Sequence, residues 1–401
     1  MKVVNTERVP IKMWLDDLED SALEQAKNMA NLPFVYKWVA VMPDGHFGFG
    51  VPIGSVVATK GVVLPSMVGV DIGCGVAFLP TNIPVDLLYK DTGTVGSLIK
   101  GIVGNIKRNV PVGFEHHKTK QPCIALDLAL EKYGHLSGDL LNEVERGYFQ
   151  VGTLGGGNHF VDLCKDDSNN LCILLHSGSR NFGKKICDYY TKIAKNLNEY
   201  WYSSVDSSLS LSFLPTDCKE GLEYLDWMNL ALDFAAENRQ RMMQECISVV
   251  LNMVKKYDGF SGIELGEQVN IHHNYAAMEN HYGQNVMVHR KGATKATEKT
   301  TGLIPGSMGT ASYVVQGLGN PESFMSCSHG AGRRMGRKEA IRTLDLEGEK
   351  KKMEGIVHGL TNKDKLDEAP GAYKDIEVVM NNQKDLVRII KTLYPIASIK
   401  G

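Results

Sequence analysis

The 401-residue chain has no excess of charge, no long hydrophobic run and no paired cysteines. Forty-four basic against 46 acidic residues leave a formal charge of −2, so no global basic field advertises a nucleic-acid partner. Any such partner must be held by a local patch. No apolar run reaches the ~18 residues of a membrane span, and Met1–Arg8 lacks the apolar core of a signal peptide. A cytoplasmic protein without membrane contact is expected. The eight cysteines, at 74, 123, 164, 172, 187, 218, 246 and 327, form no C-x-x-C. This spacing excludes a disulfide scaffold and reads as reduced thiols. Residues 203–215, Ser-rich and closed by Pro215, make an exposed loop but are too short for a domain linker.

Glycine is abundant: 41 residues, about half again the usual ~7%. Tight turns around a site fit that excess better than a helical bundle does. The pattern predicts a helix over 21–31 and a strand over 37–42 that ends at Pro43-Asp44-Gly45-His46. A hairpin-like pair of strands follows over 55–59 and 61–65, then helices over 92–109 and 125–148. Residues 171–176 read as a buried strand and 181–201 as an amphipathic helix. A long helix covers 219–257, with a Met and Leu stripe assigned to the core. The polar stretch Glu115–Lys120, with its His116-His117 pair, reads as a solvated loop. Strand ends and turns then gather the unusual residues, as open α/β architectures do.

The central stretch is Val68-Gly69-Val70-Asp71-Ile72-Gly73-Cys74-Gly75-Val76, an apolar run interrupted by a carboxylate and a thiol. A carboxylate in an apolar setting must be paired or coordinated, and the glycines allow both side chains to face one point. Asp71 and Cys74 are half of a metal site. His159 follows the Gly-rich loop 152–157, His176 ends an apolar strand, and His273 follows another apolar run. His329 lies among small residues in Ser326–Gly332, ahead of Arg333, Arg334 and Arg337, and arginine suits phosphate oxygens. Nucleophile, base and metal readings are all open to such a set. The mixture of carboxylate, thiolate and imidazole favours a transition metal over Mg²⁺, and on affinity alone zinc.

These segments together resemble the RtcB family of RNA-splicing ligases along nearly the whole chain. The resemblance rests on Met42-Pro43-Asp44-Gly45-His46, Val70–Gly75, Gly157-Asn158-His159-Phe160, His176–Arg180, His273-Asn274 and Arg290–Ala293. It continues through Pro305–Gly309, Ser328–Arg333, Ala372–Asp375 and Lys400-Gly401. It implies an α/β protein with one compact fold, a central sheet flanked by helices, and a metal site at strand ends and Gly-rich loops. The implied activity joins an RNA 3′-phosphate or 2′,3′-cyclic phosphate to a 5′-hydroxyl, in tRNA splicing or RNA repair, using GTP and two Mn²⁺ ions. An archease-type activator is a further implied partner.

Carried over by position, Cys74 bridges the two ions, and Asp71, His159, His176 and His273 complete their coordination. His329 is the nucleophile that forms a covalent histidine–GMP. Asn158, Ser307 and Ser312 hold nucleotide phosphates, and Arg333 lies near the nucleotide. Tyr373 and Lys400 contact guanine, with Asp162 facing it, Arg180 and Arg337 meet the RNA, and Asp44 supports the site. The implied manganese replaces zinc on the strength of the resemblance alone. Position 162 is Asp where the family commonly has Glu, which implies a weaker hold on guanine: a lost hydrogen bond to a charged group costs roughly 1.5–3 kcal/mol.

Two other classes fit the same residues. A metal-dependent phosphohydrolase acting on RNA 2′,3′-cyclic or 3′-terminal phosphates would turn over without GTP, with Tyr373 and Lys400 dispensable. A protein that only binds broken RNA ends would keep that binding in Cys74→Ala. Site residues run from Asp44 to Lys400, so residues 1–401 are expected to form one unit rather than two serial domains.

Overall fold

Two sheets built mainly from antiparallel ladders carry the molecule, whose computed structural model describes residues 1–93, 96–132, 138–257 and 262–401. The larger sheet has seven strands in the spatial order Val269–His272, Gly75–Pro84, Asn170–Ser177, Phe160–Asp166, Val387–Lys400, Ser312–Gly317, Thr301–Ile304. All of its ladders are antiparallel. The second sheet orders Lys2–Val4, Ile11–Met13, Val35–His46, Ile53–Thr59, Gln284–Lys291 and Asn274–His281. Its one parallel pairing joins Ile11–Met13 to Val35–His46. The protein is therefore α/β as expected, but the site residues do not gather at the carboxyl edge of a parallel sheet.

Strand alternation explains how the larger sheet is clothed. Val161, Leu163, Ile173, Leu175, Ala77 and Leu79 face one core. That core is closed by the helix Leu98–Asn109 and by Met242, Met243, Cys246 and Val250 of the helix Lys219–Tyr257. Phe160, Cys164, Cys172, Leu174, Val76 and Phe78 face the opposite side. His176 follows Cys172 and Leu174 in register, so it shares their face at the end of the strand. The helix Lys219–Tyr257 has 39 residues and is about 58 Å long at 1.5 Å per residue. Its earlier half packs Tyr224, Trp227 and Phe234 against Phe182, Ile186 and Tyr190 of the helix Arg180–Tyr200. Among the described residues no helix is long and apolar enough to cross a membrane.

Several local expectations change. Residues 55–59 and 61–65 do not form a hairpin. The strand Ile53–Thr59 has both edges occupied, by Val35–His46 and Gln284–Lys291, and its near-continuous apolar run is that of a central strand. Val62–Val63 pairs instead with Leu214–Pro215, and Pro65 opens a short helix. Pro43, Asp44 and Gly45 lie inside the strand Val35–His46, where the register shifts between Val41 and His46. Proline has no ladder donor, so an irregularity there is natural. The helix expected over 92–109 begins at Leu98, with residues 94–95 outside the described part. The span 125–148 is occupied by Ile124–Lys132 and Gly138–Gln150, and residues 133–137 lie outside the described part. Within 203–215, Leu211 and Leu214 are buried.

Burial also sets an acid limit. His289 sits in the strand Gln284–Lys291, where its Nε2 accepts from the Leu64 N–H at 3.1 Å. Burial pushes its pKa down from 6.5 to about 4. As the pH falls from 6.5 towards 4, the unfolded chain takes up a proton there that the folded chain refuses, and stability is lost by up to about 3 kcal/mol. Urea midpoints measured between pH 7 and 4.5 should fall in the native protein, and less steeply in His289→Leu. Equal slopes would contradict the assignment.

Candidate active site

The turn that carries Asp71 and Cys74 is shaped from below by the long helix. The Cys74 N–H donates to the Asp71 carbonyl at 3.0 Å, and Gly73 has φ +75°. A Cβ on Gly73 would also lie 2.9 Å from the Ala235 Cβ, so this position needs glycine on both counts. Beneath the turn the wholly buried Arg239 donates to the carbonyls of Gly73 at 2.8 Å and Ser177 at 2.9 Å, and to Asn270 Oδ1 at 2.6 Å. Asn238 accepts from the Gly152 and Thr153 N–H groups and donates to the Gly178 carbonyl. These two residues tie four ligand-bearing segments to one helix. Sequence reasoning missed them because it assigned this helix to the core; the signal was an Asn-Arg pair between Phe234-Ala235 and Met242-Met243.

Five of the expected residues converge above that support. Cys74 Sγ lies 3.2 Å from His176 Nε2 and 3.5 Å from His159 Nε2. His159 Nε2 is 3.1 Å from Asp71 Oδ2, and His176 Nε2 is 3.3 Å from His273 Nε2. Gly178 makes room for the Asp71 carboxylate, which a Cβ there would meet at 2.1 Å. The ligating atoms form two groups, Asp71–Cys74–His159 and Cys74–His176–His273, each within 4.8 Å and sharing Cys74.

The hydrogen bonds show what these atoms require. His159 Nδ1 lies 2.9 Å from the Leu154 carbonyl and His176 Nδ1 lies 3.1 Å from the Asn158 carbonyl. A carbonyl can only accept, so each Nδ1 carries a proton and each Nε2 is the ring atom turned to the cluster. These atoms face a carboxylate, a thiol and another imidazole at about 3 Å, an arrangement that suits a shared cation. His273 Nδ1 is buried with no partner. Burial, followed by the coulombic effect of His159, drives His176 well below the ordinary imidazole range. Burial and the charge of Asp71 push the Cys74 thiol far up, so it ionises only against a positive charge. The O, S and N donors fit a transition-metal ion.

His329 follows the strand Ser326–Ser328 and sits beside this cluster, its ring 4.8 Å from that of His273. Its backbone N–H and its Nδ1 both meet Asp44 Oδ2, at 2.9 and 2.5 Å. Asp44 is fully buried in the irregular part of its strand. The carboxylate fixes a proton on Nδ1 and orients the ring with Nε2 away from Asp44. The ring borders a cavity of about 660 Å³ also lined by Asn158, His176, Arg333, Tyr373 and Lys400.

Glu368, absent from the sequence-based set, contacts four residues of that cavity's wall without lining it. Its buried carboxylate accepts from Arg333 Nη1 at 3.2 Å, Arg337 Nε at 3.1 Å and the Tyr373 hydroxyl, with Lys400 Nζ 3.9 Å away. It lies in Lys363–Glu368, which reads in sequence as a solvated charge run. Other residues are less directly placed. Ser307 Oγ bonds Thr310 Oγ1 at 2.9 Å and Ser312 Oγ accepts from the Gly306 N–H at 3.0 Å, so both hydroxyls serve their own loop. Asp162 is buried on the strand Phe160–Asp166, pushed up to about 6 by burial against the charge of Lys400, and lines none of the described cavities. Arg180 has φ +60° and donates to Thr153 Oγ1 at 3.0 Å and the Gly113 carbonyl at 3.1 Å.

Comparison with known proteins places these features in a family. Residues 25–401 match the family model described as tRNA-splicing ligase RtcB. The chain is 37% identical to the RNA-splicing ligase RtcB of Escherichia coli (strain K12) over 423 aligned positions, covering 100% of this chain and 99% of that protein. It is 32% identical to the tRNA-splicing ligase RtcB of Thermococcus kodakarensis, covering 98% of this chain and 95% of that protein. It is 31% identical to the RNA-splicing ligase RtcB of Mycobacterium tuberculosis, covering 94% and 100%. With a match of this length and full-length relatives of this similarity, the chain belongs to the RtcB family of RNA-splicing ligases.

Proposed function

We propose that this protein is a GTP- and Mn²⁺-dependent ligase that joins RNA 3′-phosphate or 2′,3′-cyclic phosphate ends to 5′-hydroxyl ends through a histidine–GMP intermediate. The observation that carries the proposal is His329: a buried carboxylate orients it, its ring borders a cavity, and it sits against the Cys74-centred cluster. In this reading Nε2 attacks the α-phosphorus of GTP, forming a P–N bond as the bond to pyrophosphate breaks. Asp44 holds the Nδ1 proton as positive charge develops on the ring. An oxygen of the RNA 3′-phosphate then takes GMP from His329, restoring the imidazole. The 5′-hydroxyl attacks the activated 3′-phosphorus and GMP leaves. A cyclic phosphate is first opened by water to the 3′-phosphate.

Asp71, Cys74, His159, His176 and His273 would hold two metal ions, with Cys74 shared; bound there, the ions would offset charge on phosphoryl oxygens and on the leaving group. Manganese enters this proposal from the family resemblance, since the donor set alone would take zinc. Tyr373 and Lys400 receive the guanine, with Asp162 facing it. Asn158 and Arg333 hold nucleotide phosphates, as do Ser307 and Ser312 once their hydroxyls turn from their own loop. Arg180 and Arg337 contact RNA. The same proposal includes action as one folded unit, in the cytoplasm, with an archease-type activator as a further partner. The spread of site residues over both sheets supports the single unit.

Incubating the chain with α-labelled GTP and Mn²⁺ tests the proposal. Acid-labile label should appear on the native protein and vanish in His329→Ala. No label on the native chain, or label that persists in the variant, would refute it. Opening of a cyclic phosphate without GTP, and without label, would favour the phosphohydrolase.

A further inference from the structure

A second and larger cavity, of about 1110 Å³, borders Asp71 and Arg180 and shares Arg337 with the cavity at His329. Its wall presents Arg146, Arg180, Lys184 and Arg337 but only one acidic side chain, Asp71. Arg146 and Lys184 pair with Glu143 and Asp188. Both cations are more than half exposed; Asp188 is exposed too, so that pair exchanges readily for other anions, whereas Glu143 is buried and holds Arg146 at the wall with its outer face in solvent.

At the rim stands Phe114, fully exposed. An aromatic ring left wholly in water is unfavourable unless something covers it, and this one is firmly mounted. The Gly113 N–H donates to the Gly155 carbonyl at 2.9 Å, the Glu115 N–H to Val112 at 3.1 Å and the His117 N–H to Phe149 at 3.0 Å. Arg180 clasps the Gly113 carbonyl from below. The loop is thereby tied to the Gly-rich segment that leads into His159.

We propose that this groove is the path of a single-stranded RNA segment leading to the reacting end, with one base stacked on Phe114 and the adjoining phosphates met by Arg146 and Lys184. The inference rests on the ligase reading and names the form of its substrate. A fixed exposed ring beside a cationic wall matches the two elements of single-strand recognition, stacking and backbone attraction. A duplex would offer its phosphates but keep its bases stacked inside, leaving Phe114 unused. The groove is also continuous with Asp71, where the strand must arrive.

Binding of a fluorescein-labelled single-stranded oligoribonucleotide with a 5′-hydroxyl, followed by anisotropy on the full chain, tests this. Phe114→Ala should weaken binding about 10- to 100-fold, and Phe114→Trp should restore it. The double variant Arg146→Ala/Lys184→Ala should make the slope of log K against log salt shallower by about 1.4. A duplex of the same length should be insensitive to Phe114→Ala. Native affinity in Phe114→Ala, or equal sensitivity of duplex and single strand, would overturn the inference. Labelling of His329 by GTP, measured alongside without RNA, separates the two readings. RNA binding that depends on Phe114 in a protein that takes no label keeps the groove and refutes the ligase chemistry. Label with binding independent of Phe114 does the reverse.

Discussion

Cys74→Ala is expected to lose both metal ions at once, whereas His273→Ala loses only one. The geometry behind this is the sharing of one sulfur by two ligand groups, 3.2 Å from His176 Nε2 and 3.5 Å from His159 Nε2. Removing the imidazole of His273 leaves Asp71, Cys74 and His159 intact as a triad. Removing the thiol leaves neither group with three donors, and two protein ligands rarely hold a divalent transition ion against dialysis. Metal content would be measured on purified protein after equilibration with Mn²⁺ and removal of free ions. Retention of one full equivalent by Cys74→Ala would show that the sulfur belongs to a single ion. The folded state of each variant is checked by its urea midpoint, since Cys74 is buried.

The second large effect is expected from Asp44→Asn. The carboxylate accepts from His329 at both the backbone N–H and Nδ1. An amide keeps the size but can present its NH₂ to the ring, which moves the imidazole proton to Nε2. The attacking lone pair is then lost, and no negative charge remains to balance the developing imidazolium. In a histidine held this way such a change is worth on the order of 10²–10⁴ in rate. Self-labelling by GTP should slow by that factor while the GTP concentration giving half-maximal rate changes little, because Asp44 does not line the cavity. An unaltered labelling rate would remove Asp44 from the mechanism.

The five residues of the cluster and His329 were legible in the sequence for one physical reason. Each is a polar group beside glycine or at the end of an apolar run, where burial without a partner is costly. The supports were illegible for the opposite reason. Asn238 and Arg239 sit in a helix whose Met and Leu stripe looks complete without them, and Glu368 sits in a charge run that reads as solvated surface. Their roles exist only after the helix Lys219–Tyr257 is laid under the turn at Gly73 and Lys363–Glu368 is folded against Lys400. Pairing fared similarly. Residues 55–59 and 61–65 look like neighbours because they are close in sequence, yet the partners that win are strands near 40 and 290. Asp162 shows a feature that spacing alone does not reveal: its Oδ1 is buried without a hydrogen-bond partner. Alternation puts it on the face of Phe160 and Cys164, where burial raises its pKa to about 6.

The strand Val387–Lys400 lies in the interior of the larger sheet, between Phe160–Asp166 and Ser312–Gly317. During synthesis every cluster residue, and His329, is therefore made before the strand that joins the two parts of this sheet. Until residues 387–400 are available, strands 160–166 and 312–317 have open edges facing a gap, and Lys400 is missing from the cavity wall. A growing chain thus cannot complete its larger sheet until residues 387–400 are added, and a chain cut short after His329 is left with the facing edges of strands 160–166 and 312–317 unpaired.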